Sequence, residues 1–265
     1  MSVRQPVSPP AAWVIAAPLA RSALLVVAFW WGATGLTLAM QRGDLARLAS
    51  LVATSALAIV AMRLVLGTRD VRTAAAARRA FLAAALLWWW TATLFYLGWG
   101  VAEAGPPAGP PRSVALALQA IAATWRADVV ALAVIAGVAW LVWRRPNRVA
   151  LWALLVFWAT LQTAKLNVFA GVQHAGAELL PDRLTGLRTF FGPARNTTLL
   201  PVTIVALAVL GAWLAVRAWR ARDGFQRHAA ALLAVLLALA VVEHAMLGVD
   251  ATLPFWDPFL RMRGQ

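Results

Sequence analysis

Long apolar runs limit what this sequence can fold into more than any other feature. Crossing a hydrocarbon core of about 30 Å takes about 20 helical residues. Seven runs reach that length, and none has the alternating pattern of a strand: Ser22–Met40, Leu45–Gly67, Phe81–Val101, Ala123–Trp143, Val149–Phe169, Leu199–Trp219 and Ala229–Gly248. The sequence therefore predicts an all-α fold, a polytopic transmembrane helix bundle of about seven spans that forms one integral membrane domain over residues 1–265.

The charge content agrees with this prediction and restricts the partners. Only 13% of the residues are charged, against about 25% in an average soluble domain. The net charge is +14, but the 24 basic residues are spread between apolar runs. This pattern favours contact with membrane lipids over binding of nucleic acid. The absence of cysteine excludes disulfides and thiolate metal sites.

The arginines predict the topology. They concentrate in the segment before the first span and in the loops after spans two, four and six. The positive-inside rule then places the N-terminal segment, residues 1–21, in the cytoplasm or at its interface, and the C-terminus outside. Tryptophans near the ends of the runs are typical of aromatic belts; they are Trp30, Trp31, Trp140, Trp143, Trp213 and Trp219.

The long loop over residues 170–198 contains a short amphipathic segment. Its apolar side chains recur at spacings of four, three and four residues, which predicts one face of a helix; they are Leu180, Leu184, Leu187 and Phe191. Pro181 suits the first helical turn, and Gly192-Pro193 ends the helix. We expect this helix to lie along the membrane surface. Together with the KLNVF sequence at residues 165–169, here called the KLNVF corner, it is expected to form a docking surface.

Several polar residues lie in or near the predicted spans, where an ionised group costs roughly 2.5–3.5 kcal/mol. Arg126 and Asp128 are either an interfacial arginine beside an acid or a buried pair that docks helices. Lys165 and Asn167 end the fifth span, where a lysine is either a snorkelling anchor or a group with a specific partner. Glu243 should face the bundle interior, and we expect it to pair with Lys165 because both lie in the same half of the membrane.

His244, next to Glu243, has two interpretations. It is either a hydrogen-bond donor between helices or an axial ligand to the metal of a bacteriochlorophyll or another tetrapyrrole. The sequence contains no HExxH motif or Ser-His-Asp set, and its three histidines are scattered. No metal cluster is therefore predicted. His174 and His228 lie in loops and are expected to be solvated.

Several blocks of the sequence resemble PuhE-type photosynthetic complex assembly proteins of purple phototrophic bacteria. The strongest are AKLNVFAGV, ELLPDRLTGLRTFF and N-x-x-LLPV, between residues 164 and 202. FWWGATGLTL (Phe29–Leu38) and LALAVVEHAMLGVDATLPFW (Leu237–Trp256) extend the resemblance toward both ends.

The sequence also departs from that family pattern. The resemblance leads us to expect a His-Glu pair in the third span, where Thr91 and Ala92 stand, and a second pair near Arg126 and Asp128, where no histidine occurs. The resemblance thus implies a divergent member that has lost any site formed by those pairs.

The resemblance implies a non-catalytic accessory role in building or stabilising the photosynthetic reaction-centre and light-harvesting apparatus of the inner membrane. An alternative is a membrane enzyme or carrier for a lipophilic tetrapyrrole or isoprenoid, with Lys165, Asn167, Glu243, His244 and Asp128 as its polar groups. These two readings differ in whether those side chains converge on a cavity or pack between helices. A proton- or ion-coupled transporter is a third reading.

Overall fold

The computed structural model describes residues 12–103, 105–249 and 252–263, and these residues form helices and loops without any strand. The helices are α1 (Ala12–Ala39), α2 (Asp44–Thr68), α3 (Ala74–Tyr96), α4 (Val114–Val142), α5 (Val149–Ala170), α6 (Leu199–Arg220), α7 (Gly224–Met246) and α8 (Thr252–Arg263). Three 3₁₀ helices lie in the connections, at Met40–Arg42, Ala177–Leu179 and Asp182–Phe190. The predicted all-α bundle is confirmed.

Six of the described helices are long and apolar enough to cross a membrane: α1, α2, α4, α5, α6 and α7. The protein is therefore a multi-pass membrane protein. Helix α3 was the remaining predicted span, and it does not reach this level of hydropathy because Arg78, Arg79 and three tryptophans lower its average. It nevertheless packs within the bundle, with alanines such as Ala77, Ala80 and Ala84 buried. Small side chains let neighbouring helices approach closely.

The apolar core fills one half of the bundle. Most of its buried residues come from the C-terminal parts of α2 and α4 and from α3, α5 and α7; they include Val65, Phe81, Val138, Leu154 and Leu232. Val65, Val138 and Leu154 lie near the loops that follow α2 and α4. The other half of the bundle is less tightly filled, and the polar residues of the predicted spans lie there.

Hydrogen bonds join the three arginine-rich loops at one end of the bundle. The buried Asn147 side chain donates to the carbonyls of Thr68 (3.0 Å) and Val71 (3.3 Å). Arg72 pairs with Asp223 at 3.0 Å. The Phe225 backbone N–H and then Arg72 lower the pKa of Asp223 below its usual range. The loops thus share one end, as the sequence predicts, and the side of the membrane on which that end lies stays a prediction.

The N-terminal segment differs from its prediction in part. Residues 1–11 lie outside the described residues, whereas 12–21 already belong to α1. Helix α1 thus begins well before the predicted span at Ser22. The proline in this stretch, Pro18, does not end the helix.

Helix α8 was not predicted, and it packs against α1. Its Trp256, Phe259 and Leu260 are buried together with Leu38 and Ala39 of α1. About one turn before Leu38 on α1, the Phe259 ring lies so close to the helix that a Cβ atom added at Gly35 would overlap it.

We expect Gly35→Ala to destabilise the protein by about 2 kcal/mol, because the Phe259 ring must leave its site and overpacking of this kind costs about 1–3 kcal/mol. Gly32→Ala is the matched control: it lies one turn away on α1, and nothing lies within 4 Å of its added Cβ. Thermal unfolding in detergent measures both. Equal midpoints for the two variants would contradict the close α1–α8 contact.

Candidate functional site

The end of α5 connects to helix α4 through an ion pair. The Lys165 ammonium donates to both carboxylate oxygens of Asp128, at 2.7 and 3.0 Å. The Gln162 side chain donates to the same carboxylate at 3.0 Å. The two charged side chains are 29% and 25% exposed, so they are shielded without being fully buried. Asp128 is therefore the group that docks α4 onto α5.

Arg126 has a different role from its neighbour Asp128. It is exposed, and its guanidinium lies over the Trp125 ring at 5.8 Å. Residues two apart on a helix face different directions. The two residues therefore do not act together. Arg126 faces outward, as an interfacial arginine does, whereas Asp128 makes the helix contact.

The same stretch of α5 also contacts α6 and α7. Asn167 is fully buried and donates to the Thr203 hydroxyl of α6 at 2.9 Å. The Thr163 hydroxyl lies 3.0 Å from Nε2 of His244 in α7. One short segment therefore binds three neighbouring helices through polar side chains, which explains why polar residues concentrate at the end of an apolar helix.

Glu243 does not pair with Lys165, and the predicted pair is wrong. Glu243 accepts a hydrogen bond from the indole N–H of Trp30 in α1, whereas Lys165 is held by Asp128. Trp30 is thus part of the bundle interior, unlike Trp140, which is 84% exposed and fits an aromatic belt. Both predicted partners do lie in the same half of the bundle, on the walls of one cavity.

Two adjoining cavities occupy this half of the bundle. The first has a volume of ≈ 310 Å³ and is bordered by Glu243 and His244. The second has a volume of ≈ 520 Å³ and is bordered by Asp128, Lys165 and Glu243. Some residues border both cavities, among them Trp30, Tyr96, Ala164 and Glu243. Apart from Asn167, the polar residues singled out for the alternative reading therefore converge on cavities.

The segment over the second cavity differs from its prediction. Residues Asp182–Phe190 form a 3₁₀ helix, and a period of three residues places Leu184, Leu187 and Phe190 on one face. These three side chains are buried against α4 residues Leu116 and Ala123. Leu184 and Leu187 are therefore not exposed to a partner. The predicted α-helical period selected Phe191 and missed Phe190.

The same segment closes onto the end of α5. The Gly192 N–H donates to the Val168 carbonyl at 2.9 Å. Leu180, Leu187 and Phe191 border the second cavity from this side. Further along the chain, Arg263 of α8 donates to the Leu179 carbonyl at 3.1 Å. The loop and α8 together cover the cavity.

His174 and Thr203 are among the residues of this site that were not predicted from the sequence. His174 was expected to be solvated, but its Nε2 atom is buried without a partner among the described residues, and the residue borders the second cavity. Thr203 was missed because a single threonine in an apolar run carries no distinguishing pattern. The signal for His174 was its position, since it lies five residues after Phe169, the last residue of the KLNVF corner.

His244 is buried, and both of its ring nitrogens have partners. Nδ1 lies 2.8 Å from the Ala240 carbonyl, which can only accept, so Nδ1 carries the proton. Nε2 lies 3.0 Å from the Thr163 hydroxyl, which also lies 2.9 Å from the Thr160 carbonyl. The ring presents no free nitrogen to the metal of a tetrapyrrole in this arrangement, and axial ligation stays a prediction. Within the described ranges, no three His, Cys, Asp or Glu side chains are grouped as a metal site.

Residues 17–261 match the family described as protein of unknown function (DUF3623). The chain belongs to this family. A protein of Rhodobacter capsulatus, described as an uncharacterised 30.4 kDa protein in the puhA 5′ region, is 37% identical over 105 residues.

That alignment covers 39% of this chain and 38% of the relative, so it spans well under half of either protein. No solved structure matches. These findings confirm the family resemblance inferred from the sequence blocks.

The chemistry that these residues provide is polar anchoring within an apolar cavity. Ligand cavities in proteins are mostly apolar, measure about 300–1,000 Å³ and carry a few polar groups that orient the ligand. Here Lys165 is neutralised by Asp128, and Glu243 is held by Trp30. This arrangement suits a lipophilic molecule with a polar group at one end.

Proposed function

We propose that this protein is a non-catalytic accessory protein of the photosynthetic reaction-centre and light-harvesting apparatus. Two findings support a photosynthetic role: the resemblance to PuhE-type assembly proteins, and the relative whose description places it at puhA. The proposed location is the inner, intracytoplasmic membrane, with the N-terminus in the cytoplasm.

The structural observation that carries this proposal is the outer face of α6. This helix packs mainly on α7, and only 6% of its most apolar window is buried. Val202, Val205 and Val209 are each at least 60% exposed. Contact with another membrane subunit through this face fits an accessory role, and it replaces the docking surface predicted over Leu180–Phe191.

A second candidate function, supported by the two cavities, is that of a carrier or enzyme for a lipophilic tetrapyrrole or isoprenoid. The polar groups that this function requires border the cavities instead of packing only between helices. Glu243 and the Asp128–Lys165 pair would anchor the polar end of the ligand.

The two functions are separated by purifying the tagged protein in mild detergent and recording the absorption spectrum and mass spectrum of one fraction. Ala164→Leu fills the space shared by both cavities, whereas Ala159→Leu, on the exposed side of α5, is its matched control. Val205→Ala with Val209→Ala trims the α6 face. As the control, Val52→Ala with Val60→Ala trims an exposed face of α2, where the two side chains are 61% and 47% exposed.

The accessory role predicts recovery of photosynthetic subunits with pigment in proportion to them, lowered by the α6 variant and unchanged by the α2 variant. The carrier or enzyme role predicts a lipophilic ligand without subunits, lost in Ala164→Leu and retained in Ala159→Leu. Recovery of neither subunits nor ligand would contradict both functions.

A further inference from the structure

At the arginine-rich end of the bundle, a recess of ≈ 650 Å³ lies between the end of α4 and the loop after α2. Its walls carry three arginines, Arg69, Arg144 and Arg145, and two tryptophans, Trp140 and Trp143. The tryptophans are 84% and 65% exposed. Cationic groups next to exposed indole rings are typical of the membrane interface.

The recess carries more positive than negative charge. Asp70 pairs with Arg145 at 3.1 Å and with Arg69 at 3.4 Å, so one carboxylate is shared by two guanidinium groups. Arg144 is exposed and makes no ion pair within the described part of the chain. Three arginines and one aspartate leave a net charge of about +2 for an anion, and guanidinium groups match phosphate oxygens in geometry.

The buried Asn147 holds the backbone next to the recess. Its backbone N–H donates to the Arg69 carbonyl at 3.1 Å, and its side-chain oxygen accepts from the Val149 N–H at 3.2 Å. These bonds fix the loop after α2 against the loop between α4 and α5, and these two segments border the recess. A site whose backbone is already fixed loses less conformational entropy when a ligand binds.

An apolar strip leads from the recess along the outside of α4. Its exposed members recur every three or four residues: Trp125, Val129, Leu132, Ala136, Trp140 and Trp143. At 1.5 Å per residue the strip is about 27 Å long, close to the hydrocarbon thickness of about 30 Å. Arg126 lies at one end of this strip and Arg144 lies at the other.

We propose that this recess binds the headgroup phosphate of an anionic phospholipid, whose acyl chains lie along the half of the α4 strip next to the recess. The arginines provide the charge complement, and the tryptophans and the strip provide the apolar surface that a soluble anion does not use. Membrane proteins commonly bind acidic headgroups in basic pockets at helix ends. This inference is independent of the proposed function, since it concerns neither the cavities nor the α6 face.

The test is native mass spectrometry of the full-length protein in detergent, titrated with phosphatidylglycerol or with zwitterionic phosphatidylcholine. Phosphatidylglycerol should bind more tightly than phosphatidylcholine. Arg144→Gln should weaken phosphatidylglycerol binding by about tenfold, which corresponds to the loss of one charge-assisted hydrogen bond. The matched control is Arg222→Gln, an exposed arginine at the same end outside the recess. It should bind phosphatidylglycerol like the unmodified protein.

Two further measurements distinguish a lipid from a free anion as the ligand: phosphatidylglycerol binding by Trp140→Ala, and competition by inorganic phosphate. Lipid binding predicts weaker phosphatidylglycerol binding in Trp140→Ala and no competition by millimolar phosphate. Equal binding of the two lipids, equal effects of Arg144→Gln and Arg222→Gln, or displacement of the lipid by phosphate would each overturn the proposal. Thermal midpoints of all variants identify any loss of binding that results from unfolding.

Discussion

Replacing Asp128 with Asn, or Lys165 with Gln, is expected to destabilise the bundle by about 3 kcal/mol. Removing one partner of a shielded ion pair leaves the other charge uncompensated, and this costs about 3–5 kcal/mol when burial is complete. The side chains here retain 25% and 29% exposure, so the lower end of that range applies. Thermal or denaturant unfolding in detergent micelles measures the loss.

The double variant Asp128→Asn with Lys165→Gln tests whether the two residues act as a pair. The double variant leaves no uncompensated charge between the helices. We therefore expect it to be more stable than either single variant. The Asp44–Arg47 pair on α2 is the control: the Asp44 side chain is 97% exposed, and Asp44→Asn should change stability by less than about 0.5 kcal/mol. Additive losses in the double variant would contradict a direct pair.

Replacing Gly192 with Ala is expected to cost about 3 kcal/mol or more. An added Cβ would lie 2.5 Å from both the Gly171 nitrogen and the Phe169 carbonyl oxygen. Both of these atoms belong to the backbone, so the loop itself must move. That movement breaks the bond from the Gly192 N–H to the Val168 carbonyl and displaces the cover of the second cavity.

Gly224→Ala, at the start of α7, is the control for this substitution. Nothing lies within 4 Å of its added Cβ, so the yield of monodisperse protein and the thermal midpoint should remain close to those of the unmodified protein. Similar yields and midpoints for Gly192→Ala and Gly224→Ala would contradict the close contact between this loop and α5.

The Lys165-to-Phe191 region has a different role in the structure from the docking surface predicted for it. Leu184, Leu187 and Asn167 are buried within the chain, so this region holds the bundle together and closes a cavity. Exposed apolar side chains are numerous on other helices, including α2, α6 and the α4 strip. Mutations in the corner should therefore alter stability and cavity ligands before they alter contacts with other proteins.

The sequence by itself determined the class of fold and the approximate helices. Runs of apolar residues long enough to span a bilayer leave few alternatives, because backbone polar groups in lipid must be satisfied within a helix or a closed barrel. The sequence also identified the positions where polar groups interrupt these runs, and Asp128, Lys165, Asn167, Glu243 and His244 all make the helix contacts of the site.

Only the tertiary structure decided which of these groups meet. Lys165 and Asp128 are 37 residues apart in the sequence, and Trp30 and Glu243 are 213 apart. Lys165 and Glu243 lie in the same half of the bundle, but this shared depth does not make them a pair. The rotation of each helix about its axis sets the direction of its side chains, and packing against neighbours sets that rotation. The 3₁₀ period of Asp182–Phe190 and the contact of α8 with Gly35 were likewise decided by packing, because short segments have too few local hydrogen bonds to determine their own geometry.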